Sequence, residues 1–424
     1  MAGIIEIYPK VFRADAKQTV YIKTEGVEKL RPLTAKVQPM EKYDVPHSPE
    51  FRLESEEQRY PYQRLKDLGD GVFALEYEFK GEQRYSFKVR YDGAEICSTF
   101  LYSVEPDLAE LRSFKCETHC HSCRSDGSGT PFEVACAYRA AGYDAMALTD
   151  HGWIEPSYEA RDAIAPLTDD FRVFPGEEVH NEWSYYHVVH FGGNYSVNNL
   201  IRDKKEYIEA EIEKLLASRD FSDVSDPPSA AFRAVIAQEI RNAGGVAVMA
   251  HPYWEVQGEY FMPTEEFLHH WRHGDFDVLE LFGGNDAVGN GNNLAEILRG
   301  ELIAEGCRIP VLGASDAHVT KRKCGFDYFD LQFSVVFAKD FDGIPEAFKN
   351  EYAVAVERRP EDGRFRCAGK YRLVKYARFL IREYYEPFAK LAAVHSAALA
   401  ERDGAKIGAA EADIAAFRKR FFAF

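Results

Sequence analysis

The histidines and carboxylates with the most suggestive spacing fall in six short motifs. These are HCHSCRSDG (His119, His121, Asp126), LTDHG (Asp150, His151), PGEEVH (Glu177, Glu178), HVVHFGG (His187, His190), MAHPYW (His251) and GASDAH (Asp316, His318). Imidazole nitrogens mixed with carboxylate oxygens form a ligand set for Zn²⁺, Mn²⁺ or Fe²⁺, whereas Ca²⁺ and Mg²⁺ favour oxygen alone. A single histidine after a strand is more often a hydrogen-bonded loop residue than a ligand, and H-x-H alone says little. Here the same signature recurs at five separate strand ends, and a purely structural origin would have to repeat at each of them.

The elements that must bring these motifs together begin near residue 113, where short apolar runs start to alternate with helical stretches. The pattern predicts strands over Lys115–Thr118, Ala145–Leu148, Arg172–Pro175, Val188–Phe191, Val246–Ala250, Val278–Leu281, Val311–Gly313 and Val335–Phe337, with helices such as Pro131–Ala141 and Ala230–Ala243 between them. Such alternation implies βα units and a mainly parallel sheet or barrel. In a closed βα barrel all strand C-terminal ends meet on one face, so motifs spread over roughly 200 positions would share one pocket.

The motif series resembles that of the PHP (polymerase and histidinol phosphatase) superfamily of metal-dependent hydrolases over about residues 113–355. The β-rich N-terminal region, and GEEV followed by HVVHFG, resemble the branch with carbamate-insecticide hydrolases. The resemblance implies an α/β fold, a distorted (β/α)7 barrel, and two or three divalent ions (Zn, Mn or Fe), at most a trinuclear site. One ion would be held by His119, His121, Glu178 and Asp316. A second would share Glu178 and add His187 and His251, and a third would use Asp126, His151 and His318. The family's PG-x-E points to Glu178 and leaves Glu177 as its neighbour. His187 fits an H-x-x-x-x-G pattern and His190 an H-x-x-G pattern; three apart on a strand, they should face opposite sides, and His187 is the choice. The implied activity is a phosphoesterase acting on a small phosphorylated molecule or nucleotide through a metal-bridged hydroxide, since two ions sharing a carboxylate lower the pKa of a bridging water from about 15.7 to about 7. Asp316 or His318 would shuttle protons. A carbamate, amide or carboxylic-ester hydrolase on the same site is the first alternative. A catalytically silent binding protein that kept the barrel is the second.

Other residues carry weaker signals. Arg124, Lys321 and Arg322 flank ligand motifs and would grip a phosphate, although solvated loop charges would look the same. Asp150 precedes a ligand and would orient it from behind. Cys120 and Cys123 form C-x-x-C, but no second pair with ligand spacing follows. Tyr253 and Trp254 either wall the pocket or pack. His269, His270 and His273 lie away from strand ends and read as surface or satisfied residues.

Residues 1–110 read as an all-β, Ig-like sandwich. Thr19–Thr24, Val72–Phe79, Tyr85–Tyr91 and Ile96–Val104 are rich in β-branched and aromatic residues, with turns at Asp70-Gly71 and Asp92-Gly93. The barrel occupies 111–370, with a helical insertion at about 196–244, and 371–424 is a helical extension. A chain of 424 residues is long enough for two or three domains, and its net charge of −17 argues against duplex nucleic acid or an anionic membrane as partner. No apolar run reaches membrane length and the start has no leader pattern. Eight scattered cysteines read as free thiols in a reducing cytoplasm. The expected partner is a small-molecule substrate, with the oligomeric state open.

Overall fold

The computed structural model describes residues 3–27, 32–41, 60–181, 184–284, 291–320, 323–324, 327–359 and 362–424. The chain forms two compact units, one of residues 1–112, 375–388 and 412–424, the other of 113–374 and 389–411. The C-terminal helical segment is therefore shared between the two units. No helix of the described residues is long and apolar enough to cross a membrane.

The first unit holds two sheets. One runs Gly3–Tyr8, Ala16–Glu25, Val72–Phe79, Lys66–Gly69; the other runs Val11–Arg13, Ala94–Val104, Gln83–Tyr91, Leu33–Pro39, Gln63–Arg64. Tyr85, Phe87 and Val89 are fully buried while Ser86 and Lys88 between them are not, as a period of two demands. With Phe12, Val20, Ile22, Phe79 and Leu101 they form one core drawn from both sheets. Asp70-Gly71 and Asp92-Gly93 all have positive φ, the geometry of tight hairpin turns. Leu33–Pro39 escaped the sequence reading because Lys36 and Pro39 thin its alternation.

In the second unit all eight expected strands form. Three further strands, Gly176–Asn181, Ala353–Arg358 and Phe365–Ala368, join them. The arrangement is mixed rather than mainly parallel. Arg112–Glu117, Ala145–Ala147 and Arg172–Phe174 pair in parallel, as do Val246–Met249, Val278–Phe282 and Val311–Gly313. Ser184–Phe191, however, is antiparallel to both its neighbours, and so is Ala353–Arg358. Only two positions separate Gly176–Asn181 from Ser184–Phe191, far too few for a parallel crossover. The ladders run as a six-stranded and a five-stranded sheet rather than as one closed circuit. Where Val311–Gly313 approaches Gln332–Ala338, a side chain replaces the ladder: Ser334 Oγ accepts from Gly313 N at 3.0 Å and donates to Gly313 O at 2.9 Å. A Cβ on Gly313 would lie 2.5 Å from Phe333 O, so only glycine admits this approach.

The insertion forms three helices, Val197–Asp203, Lys205–Ser218 and Pro227–Asn242. The helix Thr264–His273 carries the three histidines that the sequence set aside. His269 and His270 are buried, not at the surface; each is engaged through Nδ1, with Asp223 at 2.7 Å and Asp275 at 2.9 Å, while its Nε2 is buried without a hydrogen bond. Burial, with Arg233 nearby, pushes the His270 pKa down to about 4 from its usual 6.5. The folded chain thus refuses a proton that the unfolded chain accepts below about pH 6.5, so stability falls as pH drops from 6.5 to 4. Denaturant titrations between pH 7.5 and 4.5 should show that fall, and His270→Gln should flatten it; an unchanged slope in the variant would remove His270 as the cause.

Candidate metal centre

The motif loops continue pairing past the strand ends. Asp316 N donates to His119 O at 2.8 Å and His121 N to Ala317 O at 3.0 Å. Gly152 N donates to Glu178 O at 2.9 Å, and Ser128 N to His318 O at 2.8 Å. With Thr149 N donating to Cys120 O at 2.9 Å, four of the motifs are laced together by backbone alone. Two of the motif residues, Asp316 (φ 50°) and His251 (φ 24°), have positive φ although neither is glycine, a local strain of the kind that collects at functional sites.

Three overlapping ligand sets that include a carboxylate result, and in each the ligand atoms lie within 4.8 Å of one another. The first is His119, His121, Glu178 and Asp316, all buried. The second is Glu178, His187 and His251. The third is His121, Asp126, His151 and His318. Glu178 and His187 are drawn into the cluster, with His187 Nδ1 2.6 Å from Glu178 Oε1. Their neighbours turn away: Glu177 and His190 face each other at 3.1 Å outside it. A divalent ion fits these sets. His119 Nδ1 is 2.8 Å from Glu280 Oε2 and donates to it, which fixes the tautomer and leaves the Nε2 lone pair pointing at Glu178 Oε2 and Asp316 Oδ1, each at 3.2 Å. A lone pair aimed at two carboxylate oxygens is repulsive unless a cation stands between them. Both Glu178 oxygens, His119 Nε2 and both His251 nitrogens are buried without a hydrogen bond. The electrostatics agree. Burial alone would drive the proton from His119, yet Asp316, Glu178 and Glu280 raise its proton affinity well above normal. Burial alone would raise the Glu178 and Asp316 carboxyls, but the surrounding histidines hold both well below the usual carboxylate range. The pocket is built to be occupied by positive charge.

Buried carboxylates hold the frame around it. Asp150 accepts from Ser122 N and Oγ and from Ser125 N and Oγ at 2.7–3.1 Å, so it shapes the loop that carries His121 and Asp126 instead of bonding to His151. Glu117 accepts from the backbone of Thr118 and His119 and from Ser315 N and Oγ, and burial lifts its pKa to about 7. Glu177 accepts from Ser196 Oγ and Asn198 Nδ2 as well as from His190. Glu117 and Glu280 went unread in the sequence; for Glu280 the available signal was an acid inside an otherwise apolar strand, VLELF, while Glu117 shares its strand with Arg112, Ser113 and Lys115 and carried no such signal. Glu280→Gln should lower metal affinity about 10–100-fold while the fold persists. Competition with a chromophoric chelator measures this, and equal affinity would mean that Glu280 does not orient His119.

The remaining candidates divide. Arg124 pairs with Glu159 at 2.7 Å on the surface. Lys321 and Arg322 lie outside the described residues. Among the described residues Cys120 and Cys123 belong to no ligand set, and Cys120 is buried with its thiol toward Ala147 O. Cys97, Cys116, Cys120, Cys123, Cys136 and Cys307 form no disulfide. Trp254 and Phe261 rings stand 5.4 Å and 4.7 Å from the His251 ring, forming an apolar wall, while Tyr253 packs on Phe267 and bonds Thr264. Two unforeseen residues lie beside Gly152: Arg202 donates to Gly152 O at 2.8 Å and stacks 4.2 Å above the half-exposed Trp153 ring.

In structure, the chain resembles PHP-like metal-dependent phosphoesterases and an amidohydrolase. One is a two-domain protein from Bacteroides vulgatus whose description predicts a PHP-like metal-dependent phosphoesterase (TM-score 0.40, 21% identity, 59% of this chain and 66% of that one). Another, from Bifidobacterium adolescentis, is described by inference as a metal-dependent phosphoesterase (0.36, 19%, 51% and 92%). The third is an amidohydrolase from Chromobacterium violaceum with bound sulfate and no metal (0.31, 20%, 50% and 89%). The match spans just under two thirds of the first of these chains. No family model and no curated protein matches the chain. Likeness at this level leaves the activity to be judged from the side chains.

Proposed function

We propose that the second unit is a metal-dependent hydrolase, its two sheets forming a distorted (β/α) barrel, and that it cleaves a phosphate ester of a small molecule. The observation that carries the reading is Glu178, fully buried with neither oxygen hydrogen-bonded, at the meeting point of His119, His121, His151, His187 and His251. His119, His121, Glu178 and Asp316 would hold one ion, Glu178, His187 and His251 a second, and Asp126, His151 and His318, with His121, a third. Zinc, manganese or iron there would supply Lewis acidity and a nucleophilic water at neutral pH.

The chain's own groups supply the rest. Asp316 Oδ1 is held 3.0 Å from His121 Nε2, while Oδ2 stands 3.9 Å from His251 Nε2 and is free to take the proton of the attacking water. With the third position unfilled, His318, partly exposed with Nε2 3.4 Å from Asp126, would return a proton to the leaving group. Arg202 on Trp153 supplies positive charge for an anionic substrate next to His151. The aromatic wall of Trp254 and Phe261 favours a second reading, a carbamate, amide or carboxylic ester with an apolar group against that wall.

Metal analysis of chelator-free protein, with a panel of p-nitrophenyl phosphate, bis-p-nitrophenyl phosphate, nucleotides, p-nitrophenyl acetate and a p-nitrophenyl carbamate, separates them. Two or three ions per chain with metal-dependent phosphate release supports the first reading. Cleavage of acetate or carbamate alone supports the second. Bound metal with no turnover would point to a binding protein, and protein without metal would overturn the cluster as a metal site.

A further inference from the structure

His180 belongs to none of the three ligand sets above, yet it stands at the edge of two of them. Along the pairing of Gly176–Asn181 with Ser184–Phe191 the register runs Val179 to Val188 and then jumps to Asn181 opposite Ser184. One residue, His180, thus spans the gap opposite residues 185–187. Bulges of this kind bend a strand and re-aim side chains, and they recur beside active sites. The result is a triangle of imidazoles: His180 to His187 at 4.6 Å, His151 to His180 at 5.3 Å and His151 to His187 at 4.9 Å between ring centroids. One nitrogen from each ring lies within 4.8 Å of the others, and no carboxylate joins the set. His180 is exposed and the other two are half-buried, so the triangle opens outward.

We propose that His151, His180 and His187 form an outer, carboxylate-free zinc position that competes with the inner sets for His151 and His187. This rests on the reading that the inner sets hold metal. A neutral imidazole carries a proton on one nitrogen and offers one lone pair, so each of these histidines serves one ion at a time. His151 belongs to the set with Asp126 and His318, and His187 to the set with Glu178 and His251. Occupation of the triangle therefore removes one ligand from each of two inner sets. An all-imidazole site selects zinc, copper or nickel over magnesium, calcium or manganese, so the competition is specific to the softer ions. The consequence is loss of activity in excess zinc but not in excess manganese.

The test compares the full-length wild type with His180→Gln, loaded to inner stoichiometry and then titrated with zinc, or with cobalt as a visible probe. In wild type, excess cobalt should change the absorption spectrum, dialysis should show ions redistributing, and excess zinc should abolish turnover. His180→Gln should keep the inner stoichiometry and basal turnover yet show neither the spectral change nor the zinc inhibition. His180→Cys, which returns a ligand atom, should restore both. Normal inner loading with zinc inhibition and spectra unchanged by either substitution overturns this inference alone. Failure of wild type to bind any ion overturns the inner-site reading and this one together.

Discussion

Glu178→Gln should strip the protein of at least one metal ion and lower turnover about a thousandfold, the equivalent of about 4 kcal/mol. Glutamine matches glutamate in shape, so packing is preserved and only the charge and one coordinating oxygen are lost. That loss is severe because Glu178 approaches five histidines: His187 at 2.6 Å, His151 at 3.0 Å, His119 at 3.2 Å, His121 at 3.3 Å and His251 at 3.6 Å. Two of the ligand sets contain it, so one substitution weakens both. Metal content by mass spectrometry, read beside turnover and far-ultraviolet circular dichroism, checks this. A folded variant with full metal content and near-normal turnover would remove Glu178 from the centre of the site. Glu177→Gln makes the contrast, because that carboxylate serves His190, Ser196 and Asn198 and should affect stability before metal content.

Arg139→Ala should destabilise the second unit by about 3–5 kcal/mol, the range for breaking a buried ion pair from one side. Arg139 is fully buried in the helix Pro131–Ala140. Its Nη2 donates to Asp170 at 2.6 Å, its Nη1 to Tyr143 O at 3.0 Å, and its Nε to His395 Nδ1 at 2.9 Å. One guanidinium therefore ties the first crossover helix to the approach of the third strand and to a C-terminal helix. Removing it takes the Arg139 cation from Asp170 and this donor from the Tyr143 carbonyl. Urea denaturation followed by tryptophan fluorescence measures the effect, and a loss under 1 kcal/mol would show that water or neighbouring groups replace the arginine freely.

The clustering of imidazoles and carboxylates was readable from residue types at strand ends. Imidazoles and carboxylates recur just after β-runs, and strand ends that gather on one side bring them together whatever lies between. The eight apolar runs were readable for the same local reason, since a short buried strand advertises itself by composition. Sequence alone did not determine how the strands pair. Gly176–Asn181 hid behind its charges, and its two-position link to Ser184–Phe191 imposed antiparallel pairing where alternation suggested parallel. Motif resemblance chose Glu178 over Glu177 and His187 over His190, but it gave no physical reason for either choice. Glu177 and Glu178, like His187 and His190, are told apart only by which face of the strand meets the cluster, and that depends on register. The supporting acids, Glu117 and Glu280, have distant partners, Ser315 and His119, 198 and 161 positions away. His180 shows the limit most plainly: its place beside His151 and His187 comes from a break in strand register, which is a property of two paired backbones and of neither sequence by itself.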